Sequence, residues 1–525
     1  MRPAISCVGS ANMSDESSAR TTATLRVMSW TLAGKLAGVL RGTLIAALLG
    51  AGVWGDAYAA AVALPNALSS LLNQALSTVT VPYFHEQPEE APQFLSALTR
   101  LVLIVLVPTA FLLAFLAPLY LPHVFAGRTP GGERDAAEIS WFFDLMLVPL
   151  ALASVWTGRL NAARRFVPLS ATNLVRSGST LLLILALAKL LNLGLLGVAS
   201  AFLGGSLLQL LYLAPATAPF QRPSAESWRR VWAAVRLMPS QITSSIVGQV
   251  NFLVDQAFAS TLSTGSIFEL TNAGGFLELP VSLFGQSLAT VLFPDFADHA
   301  KNKDPEGLVR SVDRALYLTW VATLPIAALL IGLSRPVTAV VFGYGRYSQP
   351  AVAATAGMVA AYAGSLIFRT MQQFVIRAFY VYKNTSILAR VSLAAMLLNA
   401  GLDYLLMQVL RGPGIALATT IVGALYFLVT LIMLERLLLQ HHAIGAGPYL
   451  TAMLAALPLA PIGYLLSHVR IFHGRLEQLA LVVVAAVVLG ALYVALLRIV
   501  GGRRGKDATD LLRRLLLRVL RREHN

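Results

Sequence analysis

Cysteine and charged residues are scarce in this chain. The single cysteine, Cys7, lies in the polar N-terminal stretch, which excludes an internal disulfide and a metal site built from several thiolates. Only 12% of the 525 residues are charged, whereas 57% are hydrophobic. The apolar runs recur from end to end and are close to the roughly 20 residues that a helix needs to cross a bilayer. The composition therefore predicts a polytopic membrane protein.

Motifs for fuel hydrolysis and for metal binding are also missing. The sequence contains no GxxxxGK[ST] phosphate loop and no HExxH pair, so neither ATP hydrolysis nor a zinc site has a basis in it. The acidic stretch around His85 and the pair His441-His442 are typical of solvated loops. We therefore expect a transporter without intrinsic fuel rather than an enzyme, with no cofactor and no metal site.

The apolar runs are too long for the alternating ten-residue segments of a membrane β-barrel. In lipid every backbone polar group must find a partner inside the protein, so the spans are predicted to be helices. We predict an all-α fold with about 14 transmembrane helices. Kinks or local unwinding are expected where a helix interior carries proline or glycine, at Pro65, Pro239, Gly275 and Pro280.

Basic residues give the chain a formal net charge of +15. In a soluble protein this excess would suggest nucleic acid, but here most Lys and Arg lie in loops on one side of the predicted spans, so no nucleic acid partner is expected. This bias places both termini in the cytoplasm when the number of spans is even. Residues 1–28 lack the apolar core of a signal peptide and are predicted to form a disordered cytoplasmic tail.

Two similar stretches, Arg159–Gly197 and Arg377–Gly414, suggest an internal repeat with a separation of about 218 residues. The separation contains six predicted spans, so the two copies keep the same orientation, and two parallel six-helix lobes are expected. The predicted domains are an N-terminal tail at 1–28, an N-lobe at 29–215, a C-lobe at 216–437, two extra helices at 438–500 and a basic C-terminal tail at 501–525.

The C-terminal tail is amphipathic. Between Asp507 and Arg522, leucines occupy one helical face and arginines the other, which is typical of a helix that lies on a membrane surface. We expect this tail to bind anionic lipids of the inner leaflet. The alternative is an anchor that only follows the positive-inside rule.

The first hydrophobic pair of helices carries three charged residues within or at the edge of apolar sequence, namely Lys35, Arg41 and Asp56. A Lys or Arg near the bilayer centre costs about 2.5 to 3.5 kcal/mol on insertion scales, so it persists where it faces a partner or a watered cavity. Lys35 and Arg41 lie two turns apart on one helix and can line one wall of an anion site. Alternatively, Lys35 reaches the membrane surface and Arg41 merely pairs with Asp56.

Other charged residues also fall inside predicted spans. Arg176 and Arg369 lie deepest, which makes them further candidates for the anion site. Asp255, Glu278 and Asp403 can serve a cation or a proton, or they can make ordinary hydrogen bonds at helix ends.

Several motifs follow one another in a characteristic order and spacing. They are the two basic residues in AGKLAGVLRG, the Gly50-Ala51-Gly52 turn, Asp56, Leu64-Pro65-Asn66, the segments Gln249–Ser260 and Glu278–Phe296, and the later stretches RPVTAVVFGYGRYS and RAFYVYKNT. In order and spacing these motifs resemble the MviN/MurJ lipid II flippase family of the multidrug/oligosaccharidyl-lipid/polysaccharide exporter superfamily. The similarity spans nearly the whole chain.

The resemblance implies a flippase that moves lipid II, the undecaprenyl-pyrophosphate-linked peptidoglycan precursor, from the inner to the outer leaflet of the bacterial cytoplasmic membrane by alternating access. It implies that Lys35 and Arg41 help hold the pyrophosphate and that Asp56 supports them. Our own hypothesis adds Arg369 as a further contact, because it lies deep in a predicted span. The sequence departs from the family where the family has charged residues, at Gly42, Ser69, Ser70, Gly274 and Gly275.

Three alternatives stay open. The departures favour the first, in which the cargo is another lipid-linked oligosaccharide, such as a capsule or exopolysaccharide unit. The protein can be a multidrug cation exporter of the same superfamily, which predicts an acidic cavity. It can also be a scaffold with cell-wall synthesis enzymes as partners, in which case Arg41→Ala leaves growth intact.

Overall fold

The structure is a computed structural model. It describes residues 9–510 apart from 87–90, 125–131, 164, 217–220, 287–294, 297, 300, 303, 383–384, 440–444, 469–474, 503 and 508. Within these ranges every regular element is a helix, so the predicted all-α fold class is confirmed.

Sixteen α-helices can be followed in the described part of the chain. They are α1 (Gly9–Leu49), α2 (Val53–Glu86), α3 (Ala91–Val124), α4 (Gly132–Ala162), α5 (Phe166–Leu183), α6 (Gly194–Leu213), α7 (Ala225–Ser260), α8 (Ser266–Pro280), α9 (Pro305–Gly332), α10 (Ser334–Phe342), α11 (Gln349–Val381), α12 (Thr385–Leu410), α13 (Gly412–Met433), α14 (Ala446–Ala456), α15 (Leu459–Ser467) and α16 (Arg475–Val500). Three π-helical segments, Ile184–Leu190, Val281–Gln286 and Leu434–Leu439, extend α5, α8 and α13.

Eleven helical stretches among the described residues are long and apolar enough to cross a membrane. The other three predicted spans coincide with α2, α7 and α8. One predicted span is broken around Leu457 and Pro458 into α14 and α15. The prediction of about 14 transmembrane helices is therefore confirmed.

The ends of the chain differ partly from expectation. α1 begins at Gly9, so residues 9–28 are helical and the prediction of a disordered tail was wrong for this part. No glycine or proline stands between Gly9 and Gly34 to stop the helix of the first span from extending. Most of the predicted amphipathic C-terminal tail lies outside the described residues, which end at Asp510.

The predicted irregularities at proline are found at one position. α8 ends at Pro280, and the chain continues as a π-helical segment because proline cannot donate the backbone hydrogen bond of a regular turn. By contrast, α2 continues as an α-helix through Pro65, and α7 continues through Pro239.

The chain forms two compact units. The first contains the described residues of 1–49, 57–124 and 129–246, and the second contains those of 50–56, 125–128 and 247–525. The first unit reaches into α7, beyond the lobe boundary at residue 215 that the sequence predicts. The physical reason is that Val231 of α7 is fully buried in the core of this unit beside Phe94 and Leu98 of α3. Arg230 also donates to the Tyr83 hydroxyl at 3.2 Å.

The two repeat stretches end in similar backbone geometry. Asn192 precedes α6 with a φ of 58°, and Arg411 precedes α13 with a φ of 53°. Gly197 then lies against the backbone at Ala188, and Gly414 lies against the backbone at Leu406, so neither position has room for a Cβ. In each unit a glycine therefore lets one helix start close to the end of the preceding helix.

In the second unit, polar contacts tie α14 to α9. The indole Nε1 of Trp320 donates to the carbonyl oxygen of Tyr449 at 3.1 Å. The Tyr449 hydroxyl donates to Oδ1 of Asp313 at 2.9 Å, and Arg504 pairs with the other carboxylate oxygen at 3.3 Å. The first of the helices predicted as extra is thus attached to α9 by specific partners, and so is the start of the predicted C-terminal tail.

Candidate functional site

α1 brings its two cations close to α5. Gly34 lies on the contact face, where a Cβ would be 3.0 Å from the backbone nitrogen of Leu174. Because this glycine has no side chain, α5 packs directly on α1. The contact places Arg41 near Arg176, close enough for their positive charges to repel each other. Lys35 lies on the same helix and is half-buried.

Arg41 is half-buried beside aromatic rings. Its guanidinium carbon lies 4.9 Å from the centroid of the Phe202 ring, a cation–π contact. Tyr58, Phe143 and Phe202 form a cluster with centroid separations of 5.5 to 5.8 Å. The Nη1 atom of Arg41 is buried and has no hydrogen-bond partner in the protein. The aromatic cluster therefore holds the guanidinium group but leaves donor capacity unused.

Arg176 lies at a polar cavity inside the first unit. Its Nε atom is also buried without a hydrogen-bond partner in the protein. The cavity has a volume of about 430 Å³ and lies among α2, α4, α5 and α6. Its lining residues are Asn66, Ser69, Ser70, Asn73, Leu150, Ala153, Ser154, Thr157, Leu169, Thr172, Asn173, Arg176 and Gln209. Among the described residues, neither Arg41 nor Arg176 makes an ion pair.

Asp56 serves a different element from the one the sequence suggests. It stands in the first turn of α2 but belongs to the second unit. Its Oδ2 accepts a hydrogen bond from the backbone N–H of Gly265 at 2.5 Å, and its Oδ1 accepts one from Phe268 at 3.1 Å. These are N-terminal amides of α8, which have no partner within their own helix. The partners of Asp56 are thus backbone amides, not the Arg41 guanidinium of the pairing alternative.

Gly265 and Gly50 make this cap possible. Gly265 has a φ of 101° and Gly50 a φ of 71°, a region of backbone conformation that favours glycine. A Cβ on Gly265 would meet the backbone at Ala51, and one on Gly50 would meet the backbone at Arg346. The turn that carries Asp56 therefore packs against α8 and the loop before α11 through backbone contacts.

Arg369 lies in the second unit as part of a half-exposed ion pair. Its Nη2 donates to Oε1 of Glu278 at 3.1 Å, and 45% of the Arg369 side chain is exposed. An exposed pair of this kind contributes about 0 to 1 kcal/mol, so Arg369 loses little when it exchanges Glu278 for another anion. Of the five predicted site residues, the structure brings Arg41 and Arg176 together on helices that pack, with Lys35 on α1 as well. Asp56 and Arg369 lie in the other unit.

The positions that depart from the family have distinct surroundings. Ser69 and Ser70 line the polar cavity. A Cβ at Gly42, Gly274 or Gly275 would meet no atom within 4 Å. These three glycines are therefore not required for close helix packing.

A buried acidic cluster lies in the second unit. The amide Nδ2 of Asn399 donates to Oδ1 of Asp255 at 2.8 Å and to Oδ2 of Asp403 at 2.7 Å. The Thr419 hydroxyl donates to Oδ2 of Asp255 at 3.2 Å. Oδ1 of Asn399 and Oδ1 of Asp403 have no hydrogen-bond partner in the protein. Two carboxylates that share one amide in a buried site repel each other, so a proton or a cation taken up between them stabilises the pair.

Sequence reasoning named both carboxylates of this cluster but missed Asn399 and Thr419. The spacing of Asn399 and Asp403, four residues apart on one helical face, is a signal that could have identified the pair.

Sequence reasoning also missed Asp144 completely. Asp144 is fully buried in α4, and neither carboxylate oxygen has a hydrogen-bond partner in the protein. Within the described residues, no group of three or more His, Cys, Asp or Glu side chains converges on a metal-binding geometry.

The fold and these sites define a class, a polytopic helical membrane transporter with two units. One unit holds half-buried arginines that make no ion pair among the described residues, and the other holds buried carboxylates. A family model described as "Lipid II flippase MurJ" matches residues 45–498. The chain belongs to the lipid II flippase MurJ family.

Curated relatives agree with this assignment. The chain is 22% identical over 363 residues to a probable lipid II flippase MurJ of Rickettsia prowazekii, a match that covers 66% of this chain and 70% of that protein. It is 29% identical over 211 residues to a probable lipid II flippase MurJ of Buchnera aphidicola, which covers 40% of each chain. The matched segments thus span from less than half to about two thirds of these relatives.

Solved structures share the fold. A lipid II flippase MurJ in an inward closed conformation superposes with a TM-score of 0.76 and 21% identity, over 89% of this chain and 98% of that one. An inward-facing multidrug resistance transporter of the MATE family superposes with a TM-score of 0.67 and 15% identity, over 80% of this chain and 99% of that one. At these identities the similarity concerns the fold alone.

Proposed function

We propose that the protein is a flippase that moves lipid II from the inner to the outer leaflet of the bacterial cytoplasmic membrane by alternating access, with both termini in the cytoplasm. The observation that carries the proposal is the pair Arg41 and Arg176. Both are half-buried in the first unit of a MurJ family member, each has a buried nitrogen without a hydrogen-bond partner in the protein, and neither makes an ion pair among the described residues. Lys35 and Arg369 are proposed as additional contacts, and Asp56 as a residue that fixes the backbone at the start of α8.

The chemistry of the cargo explains why unpaired guanidinium groups are useful. A diphosphate that enters a low-dielectric cavity loses its hydration and requires charged hydrogen-bond donors in exchange. Arginine presents a planar fork of N–H groups that matches phosphate oxygens. Each charge-assisted contact contributes about 1.5 to 3 kcal/mol. An arginine already paired with a carboxylate would first have to give up that partner.

The membrane potential supplies a driving force in the right direction. Moving one elementary charge across 100 mV changes the free energy by about 2.3 kcal/mol, and an interior-negative potential favours outward movement of an anion. When arginines move with the diphosphate, this gain is reduced by the charge they neutralise.

A second source of coupling is proposed at Asp255 and Asp403. One oxygen of Asn399 and one of Asp403 accept no hydrogen bond from the protein. Such oxygens are hard ligands, which suit a proton or a small monovalent cation. Because the cluster joins α7 to α12 and α13, its occupancy can change the packing of these three helices. We propose that this cluster takes up one proton or one cation during the transport cycle.

The test is depletion of the native protein in its bacterium and complementation with variants. Arg41→Ala is expected to lower diphosphate affinity about 10- to 150-fold, which corresponds to the loss of one charged contact. Lipid II should then accumulate in the inner leaflet, measured as the fraction that an added extracellular hydrolase cannot reach. Arg41→Lys keeps the charge without the fork and is expected to give an intermediate result.

The matched control is Arg165→Ala, which removes an exposed arginine at the start of α5. It is expected to leave flipping intact at equal membrane expression.

Accumulation of a capsule or exopolysaccharide precursor instead of lipid II would show that the cargo is another lipid-linked oligosaccharide. Normal growth of the Arg41→Ala strain would favour a scaffold that binds cell-wall synthesis enzymes. Export of cationic drugs is disfavoured because the described residues that line this cavity include a positively charged one, Arg176, and no acidic one.

A further inference from the structure

The polar cavity of the first unit is formed by matching helical faces. α2, α4 and α5 each contribute four residues at positions i, i+3, i+4 and i+7, for example Asn66, Ser69, Ser70 and Asn73 of α2. This spacing places four side chains on one face of a helix. With Gln209 of α6 the lining has thirteen residues, and ten of them are polar, although the four helices belong to a membrane protein. A polar surface of this kind inside a helical bundle requires a polar occupant.

Several polar atoms in the lining have no partner in the protein. They are Nε of Arg176, Oε1 of Gln209 and Oγ of Ser69. Together they offer a charged donor, a carbonyl-type acceptor and a hydroxyl. A buried polar atom without a partner costs about 1 to 3 kcal/mol, so a ligand that satisfies these atoms gains this amount back. The cavity is prepared for hydrogen bonding rather than for apolar contact.

The lining has a distinct floor and mouth. Gln209 is 6% exposed and lies at the floor, whereas Asn66, Asn73 and Asn173 are exposed and surround the mouth. Four carboxamide groups thus surround the space, and each can both donate and accept. Hydroxyl and amide groups of a sugar have the same dual capacity.

Volume and charge narrow the choice of ligand. A volume of about 430 Å³ falls within the roughly 300 to 1,000 Å³ of small-molecule sites. The absence of an acidic residue in this lining disfavours a cation, and its polar character disfavours an acyl chain. A single arginine suits one phosphate group at the edge, while the remaining surface is uncharged.

We propose that this cavity is the subsite for the uncharged sugar of a sugar–diphosphate lipid, with Gln209 as the residue that determines specificity at its floor. Arg176 contacts the adjoining phosphate, and the carboxamides contact sugar hydroxyl and acetamido groups. The proposal rests on the flippase function proposed above and adds to it the part of the cargo that this unit recognises. Sites built to bind hydroxyl or amide groups reject analogues that lack them, so the cavity selects lipids that carry the sugar.

The test is equilibrium binding of two probes to the purified full-length protein in lipid nanodiscs. One probe is undecaprenyl diphosphate, and the other is the same lipid with an N-acetylglucosamine attached to its diphosphate. The wild-type protein is expected to bind the sugar-bearing probe more tightly. Gln209→Leu should reduce this preference about three- to tenfold, the value of one or two neutral hydrogen bonds, and should leave binding of the probe without sugar unchanged.

Ser69→Ala is the second variant, because its hydroxyl has no partner in the protein and its removal leaves no other group unsatisfied. It should reduce the same preference about twofold or more. Ser200→Ala, a polar-to-apolar change on α6 outside the cavity lining, is the control and should change neither affinity. Thermal midpoints of all variants show whether they are folded.

The outcomes separate the two proposals. If the wild-type protein binds neither probe, the proposed function and the sugar subsite both fall. If it binds both probes equally and no cavity variant changes this, the sugar subsite falls and the flippase proposal stands. If Gln209→Leu weakens the binding of both probes by the same factor, the cavity holds the diphosphate and the proposal of a sugar subsite is wrong.

Discussion

At the scale of single residues, Arg41 has an aromatic ring where a carboxylate would be expected. Its contact with Phe202 is worth about 0.5 to 2 kcal/mol, and the ring, unlike a carboxylate, carries no negative charge. The group is thus held in place without being neutralised. The depth of Arg41 could be predicted from hydropathy, but its partner could not, because Phe202 lies 161 positions away in the sequence, on another helix.

Asp144 gives a prediction for stability. Neither of its carboxylate oxygens nor the hydroxyl of nearby Tyr120 has a hydrogen-bond partner in the protein. Because an unsatisfied buried polar group costs about 1 to 3 kcal/mol, Asp144→Leu is expected to raise the thermal midpoint of the purified protein. Asp144→Asn, which keeps a polar group of the same size, is expected to leave it nearly unchanged. A lower midpoint for the leucine variant would show that Asp144 has a stabilising partner.

At the scale of elements, the hydrogen bonds between Asp56 and α8 make Asp56 a cap for the N-terminus of that helix. Asp56→Ala removes two acceptors from the N-terminus of α8 and is expected to destabilise the protein by about 0.5 to 2 kcal/mol. Asp56→Asn retains an acceptor and should lose less. Thermal unfolding in detergent measures both changes.

A transport assay on the same variants separates capping from a direct role beside the cations. If Asp56 acts only as a cap, flipping by the correctly folded Asp56→Asn protein should stay close to wild type. Normal stability with abolished flipping would instead assign Asp56 to the substrate site.

The existence of the helices was predictable, but several details of their packing were not. Runs of apolar residues determine where spans occur, since lipid leaves the backbone no other partners. The π-helical end of α8 could be expected from Pro280, whereas Ile184–Leu190 contains neither proline nor glycine. The polar cavity was also not predicted, because its faces come from four helices whose contacts no local pattern specifies.

At the scale of the whole molecule, the acidic cluster predicts how transport responds to ions. Asp403→Asn leaves one carboxylate and removes the need for a shared proton or cation. Flipping by reconstituted Asp403→Asn is therefore expected to lose its stimulation by an imposed proton or sodium gradient, while binding of the lipid persists. Initial rates in vesicles with and without each gradient measure this.

Asn251→Ala is a suitable companion variant, because Asn251 contacts Asp255 only at 3.4 Å and from the same helix. It should keep most of the gradient response. An unchanged response in Asp403→Asn would show that the cluster has only a structural role.

The attachment of α14 to α9 has a consequence for biogenesis. Tyr449 follows Trp320 by 129 residues, which at about 5 to 20 residues per second takes a ribosome roughly 6 to 26 s. During this interval the Trp320 indole and the Asp313 carboxylate are already in the nascent chain, but their partners have not been synthesised. Until then α9 must stay inserted in the membrane with these polar groups unpaired by α14. A chain that ends before α14 lacks these partners and leaves this part of the second unit incomplete.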